Sequence, residues 1–61
     1  MALILIAEDE RDLNHLIRRH LEDEGHNVLQ AFDGLNAAHT AAEEHPDLVI
    51  LDWMLPGLDG L

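Results

Sequence analysis

The sequence contains no cysteine, no lysine and no tyrosine, and its 61 residues include one tryptophan and one phenylalanine. Without cysteine, neither a disulfide framework nor a thiolate zinc site can supplement the core. No stretch approaches the roughly 20 apolar residues of a membrane-spanning helix, and no basic segment followed by an apolar run marks a secretion signal. A chain this short has room for one small domain at most. We expect a soluble, cytoplasmic protein that does not bind membranes.

Basic side chains are also scarce. Three arginines stand against thirteen acidic residues, which gives a formal net charge of −10. Such a chain repels the phosphate backbone, so we expect no direct contact between this segment and nucleic acid. The hydrophobic residues, 48% of the total, are grouped in periodic blocks. That grouping favours a folded chain over a disordered one.

The apolar blocks predict strands and helices in strict alternation. Strands are predicted at Ala2–Ala7, at His26–Phe32 and at Leu48–Leu51, where the first and third are continuous apolar runs. Helices are predicted from about residue 11 to 24 and over Leu35–His45. This alternation with short connections indicates right-handed βαβ units, a parallel sheet and helices on its faces.

The inward faces of the two helices also follow from the pattern. In the first helix, apolar residues at helical spacing predict one buried side, with charged residues such as Arg18 on the other: Leu13, Leu16, Ile17 and Leu21. In the second, four alanines are expected to pack in one stripe: Ala37, Ala38, Ala41 and Ala42. Gly25 and Pro46 are expected to end the two helices.

Two of the predicted strands run into carboxylates: the first into Glu8, Asp9 and Glu10, and the third into Asp52. Acids near a helix start are explained by that helix alone, and this is the simpler interpretation of the first group. The start of a helix does not explain Asp52 as easily, because a charge that follows four apolar strand residues is costly to bury without a partner. Ligands of open parallel sheets bind where the strands' carboxyl ends meet, a placement known from other proteins of this architecture. Carboxylates gathered there would favour Mg²⁺.

The segments LILIAEDE and LVILDWMLPGLDG resemble the receiver domain of bacterial two-component response regulators, and the resemblance extends over the whole chain. It implies a flavodoxin-like, doubly wound parallel sheet. It also implies that Asp52 accepts a phosphoryl group, that Glu8 and Asp9 organise Mg²⁺ with Asp52, and that the backbone carbonyl of Met54 is a further metal ligand. Three more residues fall in the loop that follows the phosphorylation site: Pro56, Gly57 and Gly60.

The function implied is that of a phosphoacceptor signalling module and not of an enzyme. A sensor histidine kinase would be the partner that donates the phosphoryl group. An output domain, most often one that binds DNA, would be controlled by it. Two alternatives stay open: an inactive fragment that folds or assembles, and an aspartyl-nucleophile phosphotransferase or phosphatase. The second alternative is disfavoured because residue 54 is Met, where such enzymes place a second Asp.

The alternation stops after the third strand, so residues 1–61 are interpreted as the N-terminal half of a receiver domain, truncated to β-α-β-α-β. The family's later Ser or Thr and its Lys, which contact the phosphoryl oxygens, have no counterpart here, so we expect impaired phosphorylation. In the family's strand order the third strand is central; here it becomes an edge. An apolar edge at Leu48–Leu51 favours pairing with a second copy, most simply as a homodimer with antiparallel third strands.

Overall fold

A computed structural model describes residues 1–51 of the chain. These residues form five elements in the predicted order: β1 (Leu3–Ala7), α1 (Arg11–Asp23), β2 (Asn27–Ala31), α2 (Gly34–Glu44) and β3 (Leu48–Leu51). The β-α-β-α-β order and the predicted fold class are confirmed. No helix within residues 1–51 has the length and apolar character needed to cross a bilayer.

The three strands form one parallel sheet in the order β2-β1-β3. Ala7, the last residue of β1, is level with Ala31 at the end of β2 and with Leu51 at the end of β3. The carboxyl ends of all three strands therefore meet at one edge of the sheet. Within the described residues β3 is an outer strand, as predicted.

The two helices cover opposite faces of the sheet. On one face Leu5, Ala7 and Ala31 pack with Ala37 of α2 in the buried core. On the other, Gln30 of β2 makes a hydrogen bond to α1. Because neighbouring side chains of a strand point to opposite faces, Ala31 and Gln30 place α2 and α1 on different sides. This is the doubly wound arrangement.

The inward face of α1 overlaps the predicted one, since Leu13, Ile17 and Leu21 are partly buried, but it is rotated toward Asn14. Leu16 is 54% exposed, whereas Asn14 is fully buried. Arg18, expected on the solvent side, is half-buried and reaches Gln30 of β2. The face is rotated because Asn14, a polar residue that the apolar pattern passes over, lies at its centre.

The alanine stripe of α2 is narrower than predicted. Ala37 is buried and Ala41 packs against the core, but Ala38 and Ala42 are exposed. Positions 37 and 41 are one helical turn apart, and residues one further along point away from the sheet. Half of the predicted stripe therefore faces solvent.

The ends of the helices follow local chemistry. Asp33 caps α2 by accepting a hydrogen bond from the backbone N–H of Asn36 at 2.7 Å. After α1, Gly25 has a φ of 91°, a left-handed conformation that favours glycine and ends the helix as predicted. Gly25 thus returns the chain from α1 to β2, and Asp33 starts α2 soon after β2 ends.

The first turn of α1 is held over the end of β2 by an aromatic ring. The guanidinium carbon of Arg11 lies 4.5 Å from the centre of the Phe32 ring. The His15 ring meets the same ring edge-on, with 6.0 Å between centres. These contacts fix the start of α1 beside the carboxyl edge of the sheet.

Candidate functional site at the carboxyl edge of the sheet

The chain leaves β1 through Glu8, Asp9 and Glu10, which connect the strand to α1. Glu8 is 3% exposed, and Asp9 and Glu10 are exposed. One carboxylate at this edge therefore lies inside the protein while its neighbour faces solvent. A buried carboxylate is costly unless it is hydrogen-bonded or held by a cation, which makes Glu8 unusual.

The Glu8 side chain is fixed locally. Its Oε2 atom accepts a hydrogen bond from the backbone N–H of Glu10 at 2.7 Å. Hydrogen bonds of this charge-assisted kind are short and strong. Glu10 is the N-cap residue of α1, yet its own side chain makes no capping hydrogen bond. The helix-start interpretation of the acidic group therefore holds for Glu8, which accepts the N–H of the N-cap residue, and not for a side-chain cap by Glu10.

The backbone at Glu8 is tied to the end of β2. The Glu8 N–H donates to the carbonyl oxygen of Ala31 at 3.1 Å. The side-chain amide of Asn14 donates to the carbonyl oxygens of both Glu8 and Ala31, each at 3.0 Å. A single buried side chain of α1 thus joins the carboxyl ends of two strands.

Asn14 is held in turn by a chain of polar side chains on the α1 face of the sheet. Gln30 Nε2 lies 2.8 Å from Asn14 Oδ1 and 2.9 Å from His15 Nδ1. The guanidinium of Arg18 donates to Gln30 Oε1 at 3.3 Å. Arg18 also lies 3.9 Å from the carboxylate of Glu22, one turn further along α1.

The orientation of each side chain in this hydrogen-bonded series follows from that of Asn14, the buried residue at its inner end. Two carbonyl oxygens face the Asn14 amide, so its NH₂ must point to them and its Oδ1 must accept from Gln30. Gln30 then directs its oxygen to Arg18 and its second N–H to His15. The Nδ1 atom of a neutral His15 is therefore the acceptor, and its proton lies on Nε2.

Asn14 and Gln30 were missed by the sequence analysis. Asn14 lies three and seven residues before Ile17 and Leu21, on the stripe that a helix buries. Gln30 interrupts the apolar pattern of β2 in the same way. Polar residues at inward positions were the signal, because buried polar groups are almost always hydrogen-bonded to a specific partner.

The predicted phosphoacceptor Asp52 and the predicted ligand Met54 lie outside the described residues, as do Pro56, Gly57 and Gly60. The structure does describe how the chain leads to them: Leu51, which precedes Asp52 in sequence, is level with Ala7, which precedes Glu8.

The carboxylates of Glu8 and Asp9 fit the predicted Mg²⁺ in kind, since Mg²⁺ takes hard oxygen ligands from one or two carboxylates and completes its shell with water. Within residues 1–51, no three residues of His, Cys, Asp or Glu gather closely enough to hold a metal ion. A complete site would need Asp52 in addition.

Residues 4–61 match the family described as the response regulator receiver domain. The match extends over nearly the whole chain, so this protein belongs to that family. The parallel β2-β1-β3 sheet agrees with the corresponding part of a flavodoxin-like receiver fold. Family membership supports a phosphoacceptor signalling role in two-component systems.

Proposed function

We propose that this chain is the phosphoacceptor part of a two-component signalling protein, with Asp52 as the residue that receives the phosphoryl group. The donor is a phosphohistidine of a sensor histidine kinase. One observation carries the proposal: β1 and β3 are neighbours, and Ala7 is level with Leu51. The buried acid Glu8 follows the first of these residues, and Asp52 follows the second.

The reaction requires a carboxylate nucleophile. An oxygen of Asp52 attacks phosphorus, a P–O bond forms and the P–N bond of phosphohistidine breaks, so that the imidazole leaves with the electron pair and takes up a proton. The product is an acyl phosphate. Attack by one anion on another is opposed by charge repulsion, and this chain adds to it with a net charge of −10.

Glu8 and Asp9 would hold Mg²⁺ together with Asp52 and the backbone carbonyl of Met54. When bound, the ion supplies positive charge that offsets the repulsion between nucleophile and donor. Glu8 suits this role because its backbone and one carboxylate oxygen are already fixed by hydrogen bonds. Asp9 is exposed and open to solvent.

The consequence of phosphorylation is a signal and not turnover, so we propose that the chain is not an enzyme. It would act in the cytoplasm, where it would control an output domain, most often a transcriptional one. Within this scheme DNA is contacted by the output domain, since the acidic segment described here repels phosphate.

Incubation with a small acyl phosphate and Mg²⁺ tests the proposed function. At the impaired rate expected from the sequence, mass spectrometry should detect the slow addition of one phosphoryl group, located at Asp52 and absent from Asp52→Asn. Asp9→Asn should slow the reaction by about 100-fold, because metal stabilisation of the transition state is worth several kcal/mol. Asp23→Asn, which removes an exposed charge at the far end of α1, is the matched control and should react as the parent does.

Labelling at another residue, or equal labelling of Asp52→Asn, would contradict this assignment. So would a reaction that proceeds equally well after the divalent cation is removed with a chelator.

We further propose that the chain self-associates through β3. Three apolar side chains of this outer strand are exposed: Leu48 at 53%, Val49 at 39% and Leu51 at 65%. Among residues 1–51, β3 pairs with β1 alone, and an apolar strand with one unpaired edge favours pairing with another strand. The simplest closed assembly is a two-fold dimer in which two β3 strands run antiparallel.

A further inference from the structure

We propose that Asn14 is a positioning residue for the acidic end of β1, holding the backbone of Glu8 so that its carboxylate stays at the carboxyl edge of the sheet. This inference rests on the proposed function, because it concerns the same acidic site. Asn14 would touch neither the phosphoryl group nor the metal ion. Its effect would pass through Glu8.

The first argument is that both polar atoms of the fully buried Asn14 side chain make hydrogen bonds. Asn14 is 0% exposed, donates to two carbonyl oxygens and accepts from Gln30. A leucine would fill similar space without the cost of burying an amide. Packing alone therefore does not account for asparagine at this position.

The second argument is the location of the two carbonyl groups. β1 ends at Ala7, so Glu8 lies one residue beyond the last strand pair. The Glu8 N–H still reaches Ala31, but its carbonyl oxygen is bound by Asn14. Asn14 thus extends the connection between β1 and β2 to the residue that carries the buried acid.

The third argument is that the same helix start fixes the Glu8 carboxylate. Glu8 Oε2 accepts from the N–H of Glu10, and the carbonyl of Glu10 accepts from the N–H of Asn14 at 2.9 Å. Side chain and backbone of Glu8 are therefore connected to the first turn of α1 by separate hydrogen bonds. Removing the Asn14 amide would release one of these two connections.

The test uses Asn14→Leu, with Leu29→Ala as a control. Leu29 packs against the core from β2 but takes no part in the hydrogen bonds around Glu8. Temperature is adjusted so that both variants are folded to the same extent. Backbone amide spectra of the metal-free protein report on Glu8 and Glu10, and a Mg²⁺ titration of the same spectra gives the dissociation constant.

We expect Asn14→Leu to shift the Glu8 and Glu10 amide resonances, to speed hydrogen exchange at Glu8 and to raise the Mg²⁺ dissociation constant about tenfold, as residues that orient metal ligands typically do. Leu29→Ala should do none of these. If Asn14→Leu only lowers stability and matches Leu29→Ala in both amide resonances and Mg²⁺ affinity, Asn14 is a packing residue and the proposal is wrong.

A second variant covers the case in which Asn14→Leu does not fold. Gln30→Glu keeps the shape of this partly exposed side chain but replaces the NH₂ group that donates to Asn14 Oδ1 with a carboxylate oxygen. It should shift the same two amide resonances in the same direction, by less. Unchanged Glu8 and Glu10 resonances in this variant would overturn the proposal.

The proposed function can fail separately. If the parent chain shows no response to Mg²⁺, the metal site is contradicted. The metal-free amide resonances and hydrogen exchange at Glu8 would still decide whether Asn14 positions that residue.

Discussion

At the scale of single residues, Asn14 connects parts of the molecule that are far apart in the sequence. Its amide group donates to the carbonyl oxygens of Glu8 and Ala31, which lie at the carboxyl ends of two neighbouring strands. Gln30 of β2 donates to its oxygen and thereby sets the orientation of the amide. These contacts form only when α1 packs on the sheet.

The polar chain around Gln30 leads to a prediction about His15. In the neutral ring, nitrogen NMR should find the proton on Nε2 and Nδ1 unprotonated, since Gln30 donates to Nδ1 at 2.9 Å. Gln30→Leu should move the Nδ1 resonance toward that of His20, an exposed histidine on the same helix. A proton on Nδ1 in the parent protein would show that the orientation assigned to Gln30, and hence to Asn14, is wrong.

At the scale of elements, the order and the type of all five were predicted, and their ends agree to within about a residue or two. The apolar pattern was sufficient because the first and third strands are continuous apolar runs, whereas both helices repeat at helical spacing. It misplaced one side of the α1 face, where Leu16 is exposed and Asn14 is buried. A hydrophobic pattern treats an asparagine as solvent-facing, so Asn14 was left out, whereas Leu13, Ile17 and Leu21 are partly buried as predicted.

The outer strand β3 carries the prediction of self-association. Sedimentation at a series of concentrations should show a dimer that dissociates on dilution. Val49→Lys should give a monomer, since a charge on an edge strand blocks pairing. Leu35→Lys is the matched control: it makes the same kind of change at an 87% exposed leucine of α2 and should leave the dimer intact.

A parent chain that is monomeric at every concentration would contradict the proposed dimer. Equal dissociation by Val49→Lys and Leu35→Lys would show that association does not depend on β3.

At the scale of the whole molecule, the parallel sheet determines where the acidic residues meet. Alternating elements predict parallel strands, and parallel strands place their carboxyl ends together. The structure adds the register of the strands, which places Ala7 beside Leu51 and Ala31. The register and the burial of Glu8 could not be predicted from the sequence, since both depend on how the helices pack. These positions are consistent with the proposed Mg²⁺ site, which Glu8, Asp9 and Asp52 would share.

A Mg²⁺ titration followed by tryptophan fluorescence tests whether these carboxylates share a metal ion. Trp53 is adjacent to Asp52 in the sequence and is the only tryptophan, and no tyrosine is present. We predict a saturable change that is weakened in both Glu8→Gln and Asp52→Asn and unaltered in Asp23→Asn. A fluorescence signal that ignores Mg²⁺, or one that both carboxylate variants leave intact, would contradict a shared metal site at the carboxyl edge of the sheet.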